Sequence, residues 1–139
     1  MHKMISIFLL ILLSQFVSGQ IEWEISYHSD QNQLIIHGDL EPGWHIYSLH
    51  MDENAGPIPT TIDFIKGSEL LNGRVREPQP IEIYDEDFGS DVAFFEDEVI
   101  FIQNIREGAK GEISFEIVYM LCNEQGCLPP RLEKFSIAI

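Results

Sequence analysis

Cysteine is scarce in this sequence, and so are basic residues. Two cysteines stand among 139 residues, and 8 Lys+Arg face 23 Asp+Glu, for a formal charge of −15. Two cysteines are too few for a disulfide-built scaffold or a Cys₄ zinc site. A chain this acidic repels phosphate backbones, which excludes nucleic acid as a natural partner. Beyond the amino terminus no apolar run is long enough to cross a bilayer, and no stretch of ten or more residues carries clean 3.6 periodicity. A membrane span and a helical bundle are both excluded on that ground.

The one long apolar run lies at the start. Met1-His2-Lys3 is short and positive, Met4 to Leu13 is apolar except for Ser6, and Ser14 to Gly19 turns small and polar. Val17 and Gly19 put small residues at the −3 and −1 positions of a cleavage site before Gln20. This is the layout of a secretory signal peptide over residues 1–19, with an uncleaved anchor as the other reading. No cysteine follows the run to take a lipid. Residues 20–139 are expected outside the cytoplasm, periplasmic or secreted, where a disulfide persists, with no stable membrane insertion once the signal is removed. They are long enough for a single domain with its own core.

That domain reads as strands. Ile21, Trp23, Ile25 and Tyr27 alternate with Glu22, Glu24, Ser26 and His28 at period two. Further extended pieces are expected at Leu34–Leu40, Trp44–Leu49, Thr61–Ile65, Arg74–Glu77, Ile81–Tyr84, Val99–Ile105, Ile113–Leu121 and Leu132–Ile139. Gly and Pro punctuate them, as in Glu41-Pro42-Gly43 and Asn54-Ala55-Gly56-Pro57-Ile58-Pro59. Many short strands separated by such turns indicate an all-β chain folded as an antiparallel β-sandwich.

The two cysteines flank one turn. Cys122 ends a strand, Asn123-Glu124-Gln125-Gly126 makes the turn, and Cys127 resumes. Opposed antiparallel residues lie about 4.5–5.5 Å apart at Cα, within the disulfide window. Spacing alone leaves the bridge open between a structural staple and a redox pair. A metal is a third reading, weakened because Cys-x₄-Cys is wider than a zinc knuckle and has no partner pair. The acidic stretch from Asp85 to Glu98 contains no basic residue and, as a charge run, reads as a solvated loop. Phe88, in Asp85-Glu86-Asp87-Phe88-Gly89, is the misfit: an aromatic in such a loop packs over something or makes an exposed contact. Carboxylates near thiols raise thiol pKa, giving a poor attacker that remains open to attack by a partner's thiolate.

Several segments together resemble one family. Gly43-Trp44-His45-Ile46-Tyr47-Ser48, Gly56-Pro57-Ile58-Pro59-Thr60, Glu77-Pro78-Gln79-Pro80, Asp87-Phe88-Gly89, Phe95-Glu96 and Cys122-x₄-Cys127-Leu128-Pro129-Pro130 resemble the N-terminal periplasmic domain of the thiol:disulfide interchange protein DsbD, in the version of Bacteroidetes-type bacteria. The resemblance covers nearly all of residues 20–139. It implies an immunoglobulin-like β-sandwich with a reversible Cys122–Cys127 disulfide and no other cofactor or metal. It implies thioredoxin-like periplasmic partners: a reductant domain on one side, and disulfide isomerases or cytochrome c maturation thioredoxins on the other. By the resemblance, Cys127 forms mixed disulfides and Cys122 resolves them. Phe88 matches the aromatic of a cap loop with Glu86, Asp87 and Gly89, and His45 and Tyr47 fall where the family places tyrosines near the site. His45 departs from tyrosine there. Trp44 is expected in the core, with His45 and Tyr47 sharing the opposite face; His28, His37 and His50 receive no role.

The membrane conduit and the thioredoxin-like Cys-x-x-Cys domain of the family are not in the sequence, which reads as a stand-alone copy that another protein must reduce. A thiol–disulfide oxidoreductase component is one outcome. A non-catalytic secreted β-sandwich, binding a partner and stapled by its disulfide, is the alternative.

Overall fold

The computed structural model describes residues 19–139; nearly all of the expected signal segment lies outside the described residues. Eleven strands follow in order: β1 (Ile21–His28), β2 (Gln33–Leu40), β3 (His45–Tyr47), β4 (Thr61–Lys66), β5 (Ile81–Asp85), β6 (Ser90–Glu96), β7 (Glu98–Asn104), β8 (Glu112–Tyr119), β9 (Cys122–Asn123), β10 (Gly126–Cys127) and β11 (Arg131–Ala138). One 3₁₀ turn, Ser68–Leu70, interrupts them. Every pairing is antiparallel, in three sheets ordered β1-β2-β7, β11-β8-β4 and β10-β9-β3-β6-β5.

Alternation places one face of each strand inward. Leu34 and Ile36 of β2, Val99 and Phe101 of β7, and Ile113, Phe115 and Ile117 of β8 are almost wholly buried in one cluster. Trp23 joins the layers, stacking near Phe101 and meeting Tyr119 edge-on at 5.5 Å. Phe95 of β6 meets Phe101 edge-on at 6.0 Å, which ties the five-stranded sheet to the same core. The all-β sandwich expected from the strand pattern is the fold observed.

Three expectations need correction. The acidic stretch is not one loop: Ser90–Glu96 is a strand paired with both β5 and β3. Val92 and Phe95 point to opposite faces, and both are buried. A strand covered on both faces shows no apolar–polar alternation, so the acids around it dominate the reading. Arg74–Glu77 is not a strand but one isolated bridge, Arg76 to Ile102. Pro78 and Pro80 supply no N–H to extend that ladder. Trp44–Leu49 shrinks to the three residues of β3: Ser48 N–H still donates to the Ala93 carbonyl, but the next N–H, of Leu49, turns to Glu77 together with the Ser48 hydroxyl.

Candidate redox site

The cysteine hairpin is built by its own turn. Asn123 Oδ1 accepts hydrogen bonds from the backbone N–H of Gln125 at 2.9 Å and of Gly126 at 3.1 Å. Such an Asx turn needs no help from the rest of the fold. Gly126 has φ 146°, which a side chain would resist. Cys122 and Cys127 then stand directly opposite each other, joined at 2.04 Å between sulfurs and 4.0 Å between Cα atoms. Leu128 N–H donates to the Leu121 carbonyl at 2.8 Å and closes the hairpin onto the core. Pro129 and Pro130 end the pairing before β11 begins. The two sulfurs are unequally placed: Cys122 is 2 % exposed, whereas Cys127 lies in the open.

The hairpin is the edge of the five-stranded sheet. Cys127 pairs with Cys122, Cys122 with His45, and His45 with Glu96. Directly opposed residues share a face. The register therefore lays Cys127, Cys122, His45 and Glu96 in one row across four strands. Tyr47, Phe94 and Val92 lie on that face beside the row and form a second small core with Met51, Ala55, Met120 and Cys122. As expected, Trp44 packs on the main core instead.

His45 and Tyr47 act as a pair. Their Nε2 and hydroxyl lie 3.0 Å apart, and the His45 ring also rests on Phe94 at 4.8 Å. Burial holds the His45 pKa below its ordinary value, opposed by the charges of Glu96 and Asp85. Burial, reinforced by Asp85, pushes the Tyr47 phenol up to about 12. At neutral pH the ring and the phenol are both uncharged.

The loop from Asp85 to Gly89 is the tip of the β5–β6 hairpin. Asp85 Oδ1 accepts from Asp87 N–H at 2.9 Å and Phe88 N–H at 3.3 Å, and its carbonyl accepts from Gly89 N–H at 2.8 Å. Glu86, Asp87 and Gly89 are exposed; Phe88 is half-buried. The Phe88 ring lies on Gly56, where a Cβ would come within 2.6 Å of its Cδ1. Ser90 Oγ donates to the Ala55 carbonyl beside it. Phe88 packs on the Met51–Gly56 loop, whose Met51 and Ala55 belong to the same small core as Cys122. A groove of about 720 Å³ runs between that loop and the β5–β6 hairpin, lined by Asp52, Glu82, Ile83, Tyr84 and Asp91 among others.

The cysteines, His45, Tyr47 and Phe88 are the candidates that the sequence singles out. What holds β3 in place is not visible in it. Glu77 accepts from Ser48 Oγ at 2.5 Å and Leu49 N–H at 2.9 Å, which anchors the chain as it leaves β3. The Glu77-Pro78-Gln79-Pro80 motif was its only signal. His28 and His37 have local roles, against Ser26 and Glu98.

The family model for the N-terminal domain of the thiol:disulfide interchange protein DsbD matches residues 14–139. Among solved structures, the chain is similar to the reduced N-terminal domain of DsbD from Neisseria meningitidis, at 17% identity and TM-score 0.65, covering 86% of each chain. It is similar to the complex between the DsbD N-terminal and PilB N-terminal domains of the same organism, at 16% identity and TM-score 0.65, covering 84% of this chain and 81% of that one. No curated protein sequence matches.

Proposed function

The chain belongs to the family of DsbD N-terminal domains, and from that premise we propose that it is a periplasmic thiol–disulfide exchange module working through Cys122 and Cys127. The observation that carries this reading is the unequal exposure of the two sulfurs. A partner's thiolate has access to Cys127 and not to Cys122. Attack at Cys127 Sγ breaks the internal bond, forms a mixed disulfide and releases Cys122 as a thiolate. A second thiol of the partner then displaces Cys127, leaving the module with both thiols and the partner with a disulfide. Run in reverse, Cys127 thiolate attacks a partner's disulfide, Cys122 closes the ring, and the partner leaves reduced. Two electrons move in each direction, and no cofactor beyond the disulfide is needed.

The partners are proteins with a thioredoxin-like Cys pair, which present a thiolate of low pKa to an acidic surface. A DsbD N-terminal domain of Neisseria meningitidis forms a complex with the PilB N-terminal domain. A reductant domain, disulfide isomerases and cytochrome c maturation thioredoxins are the proposed donor and acceptors here. Residues 1–19 serve as the export signal and 20–139 as the working domain. Glu86, Asp87, Phe88 and Gly89 form the cap, which rests on Gly56 until a partner displaces it.

Trapping tests the reading. Cys122→Ser removes the resolving thiol, so Cys127 is expected to retain a thioredoxin-like protein as a covalent adduct that reductant releases. Absence of any adduct in periplasm expressing the variant would sink it.

A second reading has its own observation: Cys122 is packed in the small core with Met120 and Tyr47, as a staple would be. Closing so small a ring contributes roughly 2 kcal/mol by loop entropy. A reduction potential well below about −300 mV marks the staple, and a higher one the exchanging pair.

A further inference from the structure

The row Cys127–Cys122–His45–Glu96 gives the buried cysteine an imidazole as its cross-strand neighbour. We propose that His45 is the proton acceptor for the Cys122 thiol when that thiol resolves a mixed disulfide held at Cys127. The proposal rests on the exchange reading above and goes beyond it by assigning the proton.

Cys122 is 2 % exposed, so its thiol has little access to bulk water for deprotonation. It also sits in a cluster of Tyr47, Met51, Ala55, Val92 and Met120, in which a bare thiolate is disfavoured. A base must therefore come from within the sheet. The titratable and charged groups that face His45 are Cys122 across β9, Tyr47 along β3, Glu96 across β6 and Asp85 at the end of β5. Tyr47 stays a neutral phenol, and in this proposal its oxygen accepts from the His45 Nε2–H at 3.0 Å, which fixes the ring and leaves Nδ1 as the nitrogen that takes the proton. The uncharged imidazole is thus ready to accept, and the carboxylates of Glu96 and Asp85 favour the imidazolium that forms.

The step balances. Cys122–SH gives its proton to His45, its sulfur attacks Cys127 Sγ, the Cys127–partner bond breaks, and the partner leaves as a thiolate. The proton passes from the imidazolium to the departing thiolate through solvent at the open Cys127 side. Cys122 is oxidised and the partner's sulfur is reduced.

The test follows closure of the ring in full-length reduced protein treated with oxidised glutathione, reading the glutathione adduct and its disappearance by mass spectrometry from pH 5.5 to 9. His45→Gln is expected to slow closure at pH 7 by about 100-fold, within the usual range for a positioned base. Its rate should then climb about tenfold per pH unit with the thiolate, whereas the native profile is flat near neutrality. His45→Phe, which keeps a ring against Phe94, should behave like His45→Gln. If either variant misfolds, iodoacetamide reaction of Cys122 in native-His45 Cys127→Ser protein provides a second measure: reactivity persisting below pH 7 agrees with an internal base, and reactivity that falls away with the free thiol overturns it. Equal closure profiles in native and variant proteins overturn the His45 assignment while leaving exchange intact. An adduct that never closes in native protein overturns exchange and the assignment together.

Discussion

Phe88 and Gly56 show how one side chain and one missing side chain shape the hairpin tip proposed as the cap. Phe88 stands in an acidic tip, and its ring lies where any residue but glycine would place a Cβ, 2.6 Å from Cδ1. Gly56 also holds φ +107°, a backbone region that L side chains avoid. Two substitutions therefore act on the same contact from opposite sides. Phe88→Ala removes the ring, and Gly56→Ala forces it away. Both are expected to speed alkylation of the reduced thiols by a small reagent several-fold over the native protein. Unchanged alkylation in both would take Phe88 off the site. The aromatic was legible in the sequence because it sat wrongly among carboxylates; Gly56 was legible only as part of a loop, since nothing local says which ring it must admit.

β3 carries His45 and Tyr47 on only three residues, and so short a strand depends on what grips its end. Glu77 does this from 28 and 29 residues away, binding Leu49 N–H and Ser48 Oγ, while Ser48 Oγ also accepts from His50 N–H. Ser48 is 2 % exposed, so loss of the carboxylate leaves buried donors without a partner. Glu77→Ala is expected to cost about 1–3 kcal/mol in a denaturant titration, and Glu77→Gln less, because an amide oxygen still accepts one of the two bonds. An unchanged midpoint for Glu77→Ala would remove the clamp. The same scale explains why β6 is hidden in the sequence: its apolar residues are buried on both faces, and period two is a signal only when one face is wet. β1 and β8 each have a wetter face, and their alternation was plain.

Two buried phenols make the stability of the whole molecule depend on pH at the alkaline end. Tyr119, which ties the β1 and β8 sheets through Trp23 and donates to Glu133, is pushed up to about 12 chiefly by burial and then by that carboxylate. Tyr47 is raised to about 12 as well. In the unfolded chain both ionise near 10. Between those values the native state holds protons that the unfolded state has lost, so stability falls as pH rises. Stability in the oxidised protein is expected to be level up to about pH 10 and to decline between about pH 10 and 12. Tyr119→Phe should flatten part of that decline in urea titrations. An equally steep decline in the variant would place the loss elsewhere. His45 works at the other end: its lowered pKa removes stability as pH drops below about 6.5, where the unfolded chain protonates first.

Scarcity of cysteine and excess of acid were readable at once, and they already excluded nucleic acid and a disulfide scaffold. Local grammar went further: period two, turn residues and the Asn-x-x-Gly turn between the cysteines are short-range signals that mean the same in any fold. The pairing of Cys122 with Cys127 and the all-β sandwich follow from such signals. Sheet order does not, because it joins segments far apart in the chain. Only the packed sheet sets His45 beside Cys122, Glu96 beside His45, Glu77 under Ser48 and Phe88 on Gly56. It also makes the two sulfurs unequal, burying Cys122 in a second small core while Cys127 stays in the open. That inequality is a property of neighbours across strands, and no spacing within the chain encodes it.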